Sequence, residues 1–384
     1  MIVLGLSSGT SADGIDVAAA ELRLDGGGVL LRPLGHRTDP YPDGLREEVL
    51  AALPPARVTL ERVCRIDAGI GRAFAATAVR AIAELCPGGR ADLVVSHGQT
   101  LYHWVEDGEV RGSLQLGQPA WIGEATGLPV VSDVRAADIA AGGQGAPLAS
   151  VLDVLWLSGL GRPAAALNIG GIANVTVVAP GAPPEAFDTG PGNALLDAAA
   201  ELAPGAARMD AGGERALRGR VHPGLLERLL AEPYYARPAP KSTGKELFNR
   251  VYLEHLLDGL DVAWDDVFAT LTELTAVTVA DACRARGVAE VIASGGGVRN
   301  PALMAALRAR LDPAPVRDSA ELGLDGDAKE AYLFALLGFL TWQGLPSTVP
   351  SCTGASHPVL SGRLSRPAPH ATLPSGLRVL PEGR

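Results

Sequence analysis

Residues 2–16 read IVLGLSSGTSADGID, a short apolar run that enters a turn rich in glycine and hydroxyl side chains. The run predicts a buried strand, and the turn after it carries two carboxylates, Asp13 and Asp16. Glycine lets the backbone approach a ligand closely, and N–H groups and hydroxyls in such a turn can bind phosphate oxygens. Mg²⁺ prefers oxygen ligands and keeps several waters, so a neighbouring carboxylate suits it. The stretch therefore predicts a phosphate-binding turn at the end of a strand.

Two more apolar runs end in glycine turns. Residues 165–176 read AALNIGGIANVT, and residues 291–300 read VIASGGGVRN. A single turn of this kind often does no more than connect two elements. Three of them, with Gly9 and Gly170 each near the head of a half-chain, predict an internal duplication and a nucleotide held between two domains.

Composition narrows the class of protein. A chain of 384 residues that is 47% hydrophobic is long enough for about two or three domains with large cores. The net charge of −10 argues against nucleic acid or an anionic membrane as a partner. The four cysteines are far apart, and no apolar leader opens the chain, so we expect a reducing cytoplasm. The apolar stretch 331–342 is too short to span a bilayer and predicts a buried helix.

Strands and helices alternate along the sequence, which predicts α/β layers. Apolar spacing predicts strands at 17–24, 92–96, 128–132, 164–169 and 291–294, and helices at 44–52, 60–86, 192–202, 246–257, 265–286 and 301–311. Asp43 and Thr59 are the expected N-caps of the first two helices. The glycine-rich segment 142–147 is the expected boundary between domains 1–147 and 148–384.

Nine blocks of sequence together resemble one known family. They read GTSADGID (9–16), SHGQT (96–100), SDVR (132–135), AGGQGAP (141–147), LNIGGIAN (167–174), FDTGPGN (187–193), KSTGKE (241–246), SGGGVRN (294–300) and KEA (329–331). In this order, over nearly the whole chain, they are similar to the anhydro-N-acetylmuramic acid kinases. Ser7 departs from the pattern, because the family usually has methionine there.

The resemblance implies a fold and a reaction. The fold is the two-domain actin-like, hexokinase-like ATPase fold, built from ribonuclease H-like α/β units with the nucleotide in the cleft between the domains. The reaction uses ATP and Mg²⁺ to phosphorylate O6 of 1,6-anhydro-N-acetylmuramic acid while water opens the anhydro ring. The product is N-acetylmuramic acid 6-phosphate, made in peptidoglycan recycling. A cytoplasmic homodimer, with no nucleic acid or membrane partner, is the matching expectation.

The resemblance also assigns the nucleotide site. The expected nucleotide-binding residues are Gly9, Thr10, Ser11, Ala12, Asp13, Gly14, Ile15 and Asp16 in the first turn, Gly170 and Gly171 in the second, and Gly295, Gly296 and Gly297 beside adenosine. Asp13 is the expected carboxylate for the water shell of Mg²⁺, with Asp16 as second choice. The alternative interpretation of the first turn is a hairpin with solvated aspartates.

The anhydro sugar requires a base. Its O6 is bound to C1 in an ether and carries no proton, so water must add at C1 while O6 leaves and takes the phosphoryl group. The family pattern places that base at Asp188. The alternative is that Asp188 caps a helix that begins near Gly192.

The expected sugar-binding residues are Gln99, Thr100, Arg135, Gln144, Asn193 and Glu330. Arg135 suits the lactyl carboxylate or a phosphate, although a surface ion pair is the alternative. Glu330 resembles a carboxylate of the sugar site, and its alternative is a first-turn acid favoured by the helix dipole. We expect His97 to be a structural hydrogen-bonding residue, and Lys241 and Lys245 to lie in a surface loop unless that loop approaches the ligand.

Two rival functions remain open at the level of sequence, because a fold does not determine chemistry. One is a nucleotide-driven switch or filament subunit, which needs neither the polar blocks at 96–100 and 132–147 nor a base. The other is a sugar-binding regulator without turnover, for which we would expect an added basic DNA-binding segment. Release of ADP that depends on the sugar distinguishes the kinase from both.

Overall fold

Two β-sheets covered by helices make up the computed structural model, which describes residues 1–9, 11–205 and 209–366. The strands are β1 (Ile2–Ser8), β2 (Ile15–Asp25), β3 (Gly28–Asp39), β4 (Leu93–Glu106), β5 (Glu109–Leu116), β6 (Val130–Ser132), β7 (Ala164–Ile169), β8 (Ile172–Val178), β9 (Glu185–Pro191), β10 (Glu290–Ser294), β11 (Val316–Asp318) and β12 (Arg363–Ser365). The α-helices are α1 (Leu45–Leu50), α2 (Leu60–Leu85), α3 (Pro119–Thr126), α4 (Ala136–Ala140), α5 (Ala149–Ser158), α6 (Ala194–Leu202), α7 (Glu214–Arg218), α8 (Pro223–Leu230), α9 (Arg250–Leu257), α10 (Trp264–Arg284), α11 (Pro301–Leu311), α12 (Lys329–Trp342) and α13 (Pro350–Thr353).

The two sheets share the same arrangement of five strands, and the first sheet carries β5 and β12 in addition. The first has the order β12-β6-β4-β1-β2-β3, with β5 paired to β4, and the second has the order β11-β10-β7-β8-β9. In each sheet the first three strands form an antiparallel meander, and two later strands add in parallel beside the first of them. The same strand order occurs twice, so the structure shows the internal duplication and confirms the expected pair of α/β units.

Helix boundaries follow local signals where a cap is present. α2 begins directly after Thr59, whose hydroxyl accepts the N–H of Arg62 at 3.2 Å, as predicted. Asp43 is not the cap of α1, because Gly44 occupies that position in the left-handed region and no side chain caps the helix. Glycine tolerates that conformation, so this helix begins one residue later than the aspartate suggested.

The C-terminal part of the described chain returns to the first sheet. α12 packs against β1, β2 and β4, and β12 pairs antiparallel with β6. The structure therefore differs from the predicted division at residue 147, which assigned all of 148–384 to the second domain. The apolar residues of α12 occur all around the helix, so their pattern did not indicate which sheet they cover. Within the described ranges, no helix has both the length and the apolar character needed to cross a bilayer.

The contact between α12 and β1 depends on Gly5. A Cβ atom at Gly5 would lie 2.0 Å from the carbonyl oxygen of Ala331 and 2.5 Å from the backbone nitrogen of Ala335. Backbone atoms of a packed helix cannot move aside cheaply, so we expect Gly5→Ala to lower the free energy of unfolding by about 2–3 kcal/mol. Urea unfolding measures this change.

Gly112 of β5 provides the matched control for Gly5. A Cβ there would meet only the Trp104 ring, at an ordinary contact distance of 3.8 Å. We expect Gly112→Ala to change stability by less than about 0.5 kcal/mol. Equal stability losses in the two variants would mean that the close approach of α12 is not the cause.

Candidate active site

A cleft of about 900 Å³ lies between the two sheets. Of the residues predicted to bind sugar or act on it, the cleft brings together Arg135, Gln144, Asp188 and Glu330. They come from different parts of the chain: α4 begins just after Arg135, Asp188 lies on β9, and Glu330 lies in the first turn of α12. Charged side chains from both halves of the duplication therefore face one space.

Asp188 is held at both its backbone and its carboxylate. Its N–H donates to the carbonyl of Lys241 at 3.0 Å, and its carbonyl accepts the hydroxyl of Tyr234 at 2.8 Å. Its Oδ2 accepts the N–H of Thr243 at 2.9 Å. The carboxylate is thus fixed through one oxygen, and its second oxygen remains an acceptor for a group in the cleft.

The alternative role for Asp188, a helix cap, is wrong. α6 begins at Ala194, its N-cap residue is Asn193, and no side chain caps it. The Asp188 carboxylate instead contacts the Lys241–Thr243 segment described above.

Burial raises the pKa of Asp188, and Glu246 adds to this effect, while the hydrogen bond from Thr243 opposes it. A carboxylate whose pKa is raised holds a proton more firmly, which makes it a better proton acceptor while it is ionised. This fits an acid–base residue in a cleft.

Arg135 is oriented by the protein rather than by a surface ion pair. Its Nε donates to Nε2 of His97 at 3.1 Å, and its Nη1 donates to the carbonyl of Gly145 at 2.6 Å. The His97 ring stacks on Phe334 at 4.6 Å between centroids. Burial, with Arg135 nearby, lowers the pKa of His97 to about 3, so this imidazole is neutral and accepts from the guanidinium. His97 is therefore the structural hydrogen-bonding residue that we expected.

Glu330 faces water in the cleft, but protein surrounds it on its other sides. This surrounding protein raises its pKa; Arg135 opposes the effect and Asp16 adds to it. The carboxylate therefore belongs to one electrostatic unit with Arg135 and with Asp16 of the first turn. A helix-dipole role alone does not explain a position on the cleft wall.

The first glycine turn closes with a hydrogen bond from the N–H of Ala12 to the carbonyl of Gly9 at 3.0 Å. Gln99 supports this turn. It is fully buried, donates to the Gly9 carbonyl at 3.1 Å and accepts from the Tyr41 hydroxyl. The Gln99 amide is thus used inside the protein and Gln99 does not line the cleft, so its contact with the sugar stays a prediction. Thr10 lies outside the described residues.

The two acidic residues of the first turn have different partners. Asp13 is exposed and pairs with Arg46 at 2.9 Å, and hydrogen bonds from Ser11 and Arg46 lower its pKa. Asp16 accepts the Thr38 hydroxyl at 2.6 Å and is close enough to Glu330 to raise that residue's pKa. Asp16 thus lies nearer the cleft charges, whereas the Asp13 carboxylate pairs with Arg46 at the surface.

The other residues of the first turn contribute backbone rather than side chains. Ala12 and Ile15 are fully buried in the core beneath it, and the carbonyl of Gly14 accepts the hydroxyl of Ser8. A Cβ atom at Gly9 would meet nothing closer than 3.9 Å, so open space faces the turn there. A ligand therefore has room to contact the backbone at Gly9.

The second glycine turn is braced by α6. The side-chain amide and backbone N–H of Asn193 both donate to the carbonyl of Gly170, at 3.1 and 2.9 Å. Asn193 thus supports the turn and does not line the cleft, so its contact with the sugar stays a prediction. The N–H of Gly170 donates to Ile172 at 3.2 Å, so it is not the free phosphate donor that we expected.

The third glycine turn packs on the end of β7. A Cβ atom at Gly295 would lie 2.8 Å from the carbonyl oxygen of Ile169, and one at Gly297 would lie 2.2 Å from the Ile169 side chain, so both would clash. Close approach to Ile169 thus explains these two glycines without a ligand, while Gly296 is exposed. Thr100 does not line the cleft, and its hydroxyl accepts from Gln115 at 3.2 Å.

The sequence contains 33 lysines and arginines, of which only Lys241, Lys245 and Lys329 are lysines. Lys241 and Lys329 line the cleft. Lys245 lies over the second glycine turn, where a Cβ at Gly171 would be 3.1 Å from its Cε and 3.9 Å from its Nζ. The KSTGKE segment is therefore part of the site. Two of the chain's three lysines lie in this segment, and that concentration was the feature of the sequence that could have indicated a functional role.

Comparisons with known proteins identify the family. The family model described as anhydro-N-acetylmuramic acid kinase matches residues 1–366. A protein of that name from Streptomyces coelicolor is 60% identical over 99% of this chain and 99% of its own. One from Streptomyces avermitilis is 60% identical over 95% of this chain and 94% of its own. One from Rhodococcus erythropolis is 54% identical over 95% of this chain and 94% of its own. This chain belongs to the anhydro-N-acetylmuramic acid kinase family.

Proposed function

We propose that this protein uses ATP to convert 1,6-anhydro-N-acetylmuramic acid into N-acetylmuramic acid 6-phosphate. The observation that carries this proposal is a fixed carboxylate, Asp188, on the wall of a cleft that Arg135 and Glu330 also line. The rival switch or filament function has no use for such a carboxylate, and no specific observation favours it.

Asp188 acts as the base for the water that attacks C1. The water oxygen bonds to C1, its proton passes to the Asp188 carboxylate, and the C1–O6 bond breaks. O6 takes the γ-phosphoryl group as its bond to the β-phosphate oxygen breaks, which leaves ADP. The cleft positions the reactants and limits water to one nucleophile, which is most of what phosphoryl transfer needs from a protein.

Arg135, Gln144 and Glu330 bind the sugar. Arg135 has two of its nitrogens fixed by His97 and Gly145, so its remaining donors are preorganised for the lactyl carboxylate. Gln144 is exposed on the cleft wall, where its amide can hydrogen-bond the acetamido group or a hydroxyl. Glu330 accepts from the hydroxyls that flank the reacting end of the sugar.

The first turn and Asp16 fit the phosphates and Mg²⁺. Mg²⁺ bound mainly by phosphate oxygens and water needs only one or two carboxylates. Asp16 meets this need better than Asp13, because Arg46 already pairs with Asp13. When bound, Mg²⁺ neutralises charge on the phosphates. We also propose a cytoplasmic homodimer, which rests on the family resemblance.

Incubation of the pure protein with ATP and Mg²⁺, with and without the anhydro sugar, tests the proposed reaction. We expect ADP release that requires the sugar, and a 6-phosphate product incorporating one oxygen from ¹⁸O-labelled water at C1. ATP turnover that ignores the sugar would favour the switch, and sugar binding without ADP release would favour the regulator.

Lys245 supplies a positive charge to the phosphates at the second turn. A hydrogen bond to a charged group contributes about 1.5–3 kcal/mol, so we expect Lys245→Met to raise KM for ATP at least about tenfold. Lys245→Arg keeps the charge and should stay within about threefold of the wild type. Steady-state kinetics with varied ATP measure both variants.

The matched control for Lys245 is Arg250→Met. Arg250 is a nearby cation that pairs with Glu254 on the surface of α9 at 3.0 Å. We expect its loss to leave KM for ATP unchanged. If Lys245→Met behaves like Arg250→Met, Lys245 does not contact the phosphates.

A further inference from the structure

A second cavity, of about 510 Å³, lies behind the catalytic strand β9. We call it the back cavity, and its walls include Phe187, Thr189, Leu230, Arg237, Lys241 and Arg286. Successive side chains of a strand point to opposite faces. Thr189 accordingly lines the back cavity, whereas Asp188 lines the cleft, and no role assigned above uses this space.

Cations outnumber anions on the walls of the back cavity. Arg286 pairs with Glu185 at 2.8 Å, and its guanidinium lies 4.1 Å from the centroid of the Phe187 ring. The Lys241 ammonium donates to backbone carbonyls, at 3.2 Å to Tyr234 and 2.9 Å to Tyr235, which leaves its charge without a carboxylate in those contacts. Burial, with added repulsion from Arg286 and Arg237, lowers the pKa of Lys241. An anion would relieve this repulsion.

The one acidic side chain on the wall does not change that balance. Asp281 lies 3.7 Å from Arg284 of its own helix, so it brings its own counter-charge. Arg237 is exposed at the mouth of the cavity, and its guanidinium is 5.9 Å from the Tyr234 ring. Arginine binds phosphate oxygens with paired donors, so Arg237 suits a phosphate at the mouth. Arg286 already donates to Glu185 and to the Ala282 carbonyl, and it adds positive charge to the wall.

The remaining walls are apolar. Phe187, Leu230 and Pro238 provide this apolar surface. A volume of about 510 Å³ is in the usual range for a site that holds a small organic molecule. We propose that the back cavity binds a small phosphate monoester that carries an apolar group.

Occupancy of the back cavity would reach Asp188 through Lys241. The Lys241 carbonyl accepts the Asp188 N–H, and the Lys241 ammonium holds the carbonyl of Tyr234, whose hydroxyl contacts the Asp188 carbonyl. A phosphate that draws the ammonium away from Tyr234 therefore alters the support of the base. This consequence, unlike the site itself, rests on the proposed function, and it predicts a change in kcat.

Calorimetric titration with phenyl phosphate, in the presence of saturating Mg²⁺ and the β,γ-imido analogue of ATP, tests the site. We expect binding that Arg237→Glu weakens at least about tenfold, because a charge is reversed at the cavity mouth. Arg220→Glu changes an exposed arginine of the same half that does not line the cavity, and it should leave binding unchanged. Inorganic phosphate should bind about tenfold more weakly than phenyl phosphate, because it leaves the apolar wall uncovered.

Three results would contradict a part of this proposal or of the proposed function. No binding of phenyl phosphate, or binding that Arg237→Glu does not weaken, overturns the site. Binding with no change of kcat overturns only the coupling to Asp188. Because calorimetry needs no turnover, a protein that binds phenyl phosphate but lacks sugar-dependent ADP release would contradict the proposed function and leave the site standing.

Discussion

Asp188→Asn is expected to lower kcat by about 10²- to 10⁴-fold, the range for losing a general base. The amide keeps the shape of the side chain, and its oxygen can still accept the N–H of Thr243 that fixes Oδ2 in the wild type. It cannot accept the proton of the attacking water. We therefore expect the affinity for the β,γ-imido analogue of ATP to stay within about threefold of the wild type while turnover is lost.

The pH dependence of kcat provides a second test of the role of Asp188. Burial raises the pKa of Asp188, so the active carboxylate is lost as the pH falls through a value above the usual range for aspartate. The acid limb of kcat for the wild type should accordingly lie at higher pH than an exposed aspartate would give. The residual activity of Asp188→Asn should lack this limb.

Asp261→Asn is the control for Asp188→Asn, because Asp261 is an exposed aspartate in the turn before α10. It should keep kcat within about twofold. Near-normal turnover of Asp188→Asn, or a pH profile that retains the same acid limb, would show that another group removes the proton. Glu330, whose pKa is also raised by the surrounding protein, is then the residue to replace next.

The sequence predicted the elements of this site better than their contacts. Short apolar runs and glycine turns identified β1, β7 and β10, because those signals are local. The supports of Asp188 are not local. Tyr234 and Thr243 are 46 and 55 residues away along the chain, and nothing in the local sequence around Asp188 indicates these hydrogen bonds.

Polar residues near a turn were harder to interpret. Gln99 follows the strand predicted at 92–96, and Asn193 follows β9, both in glycine-rich blocks. That is the position expected for ligand contacts. Both donate instead to carbonyls of the glycine turns, Gly9 and Gly170. An irregular turn leaves backbone carbonyls that buried amides must satisfy, so the same residue types serve the turn and the ligand. Only three-dimensional contacts separate the two roles.

Lys329→Met is expected to lower the free energy of unfolding by about 3 kcal/mol. The Lys329 Nζ lies 2.6 Å from Oδ1 of Asp153, and the two side chains are only 13% and 8% exposed. Removing the lysine leaves a buried carboxylate with no counter-charge in this contact, which costs about 3–5 kcal/mol in comparable pairs. The lower end of this range of stability loss applies, because the pair borders the open cleft. Urea unfolding measures the loss.

The double variant Lys329→Met with Asp153→Leu separates the unpaired charge from the loss of packing. Apolar replacement of both partners is often neutral, so the double variant should recover most of the stability lost in Lys329→Met. A double variant as unstable as the single one would show that the charge is not the cause. Lys329 also lines the cleft, so we expect activity to fall in Lys329→Met and not to recover in the double variant. Asp153 belongs to α5, which packs on β7 and β8, whereas Lys329 begins α12, which packs on β1. α5 and α12 also pack directly against each other, so the pair joins two contacting helices at the cleft wall. Apolar side chains restore burial there without restoring the ion pair.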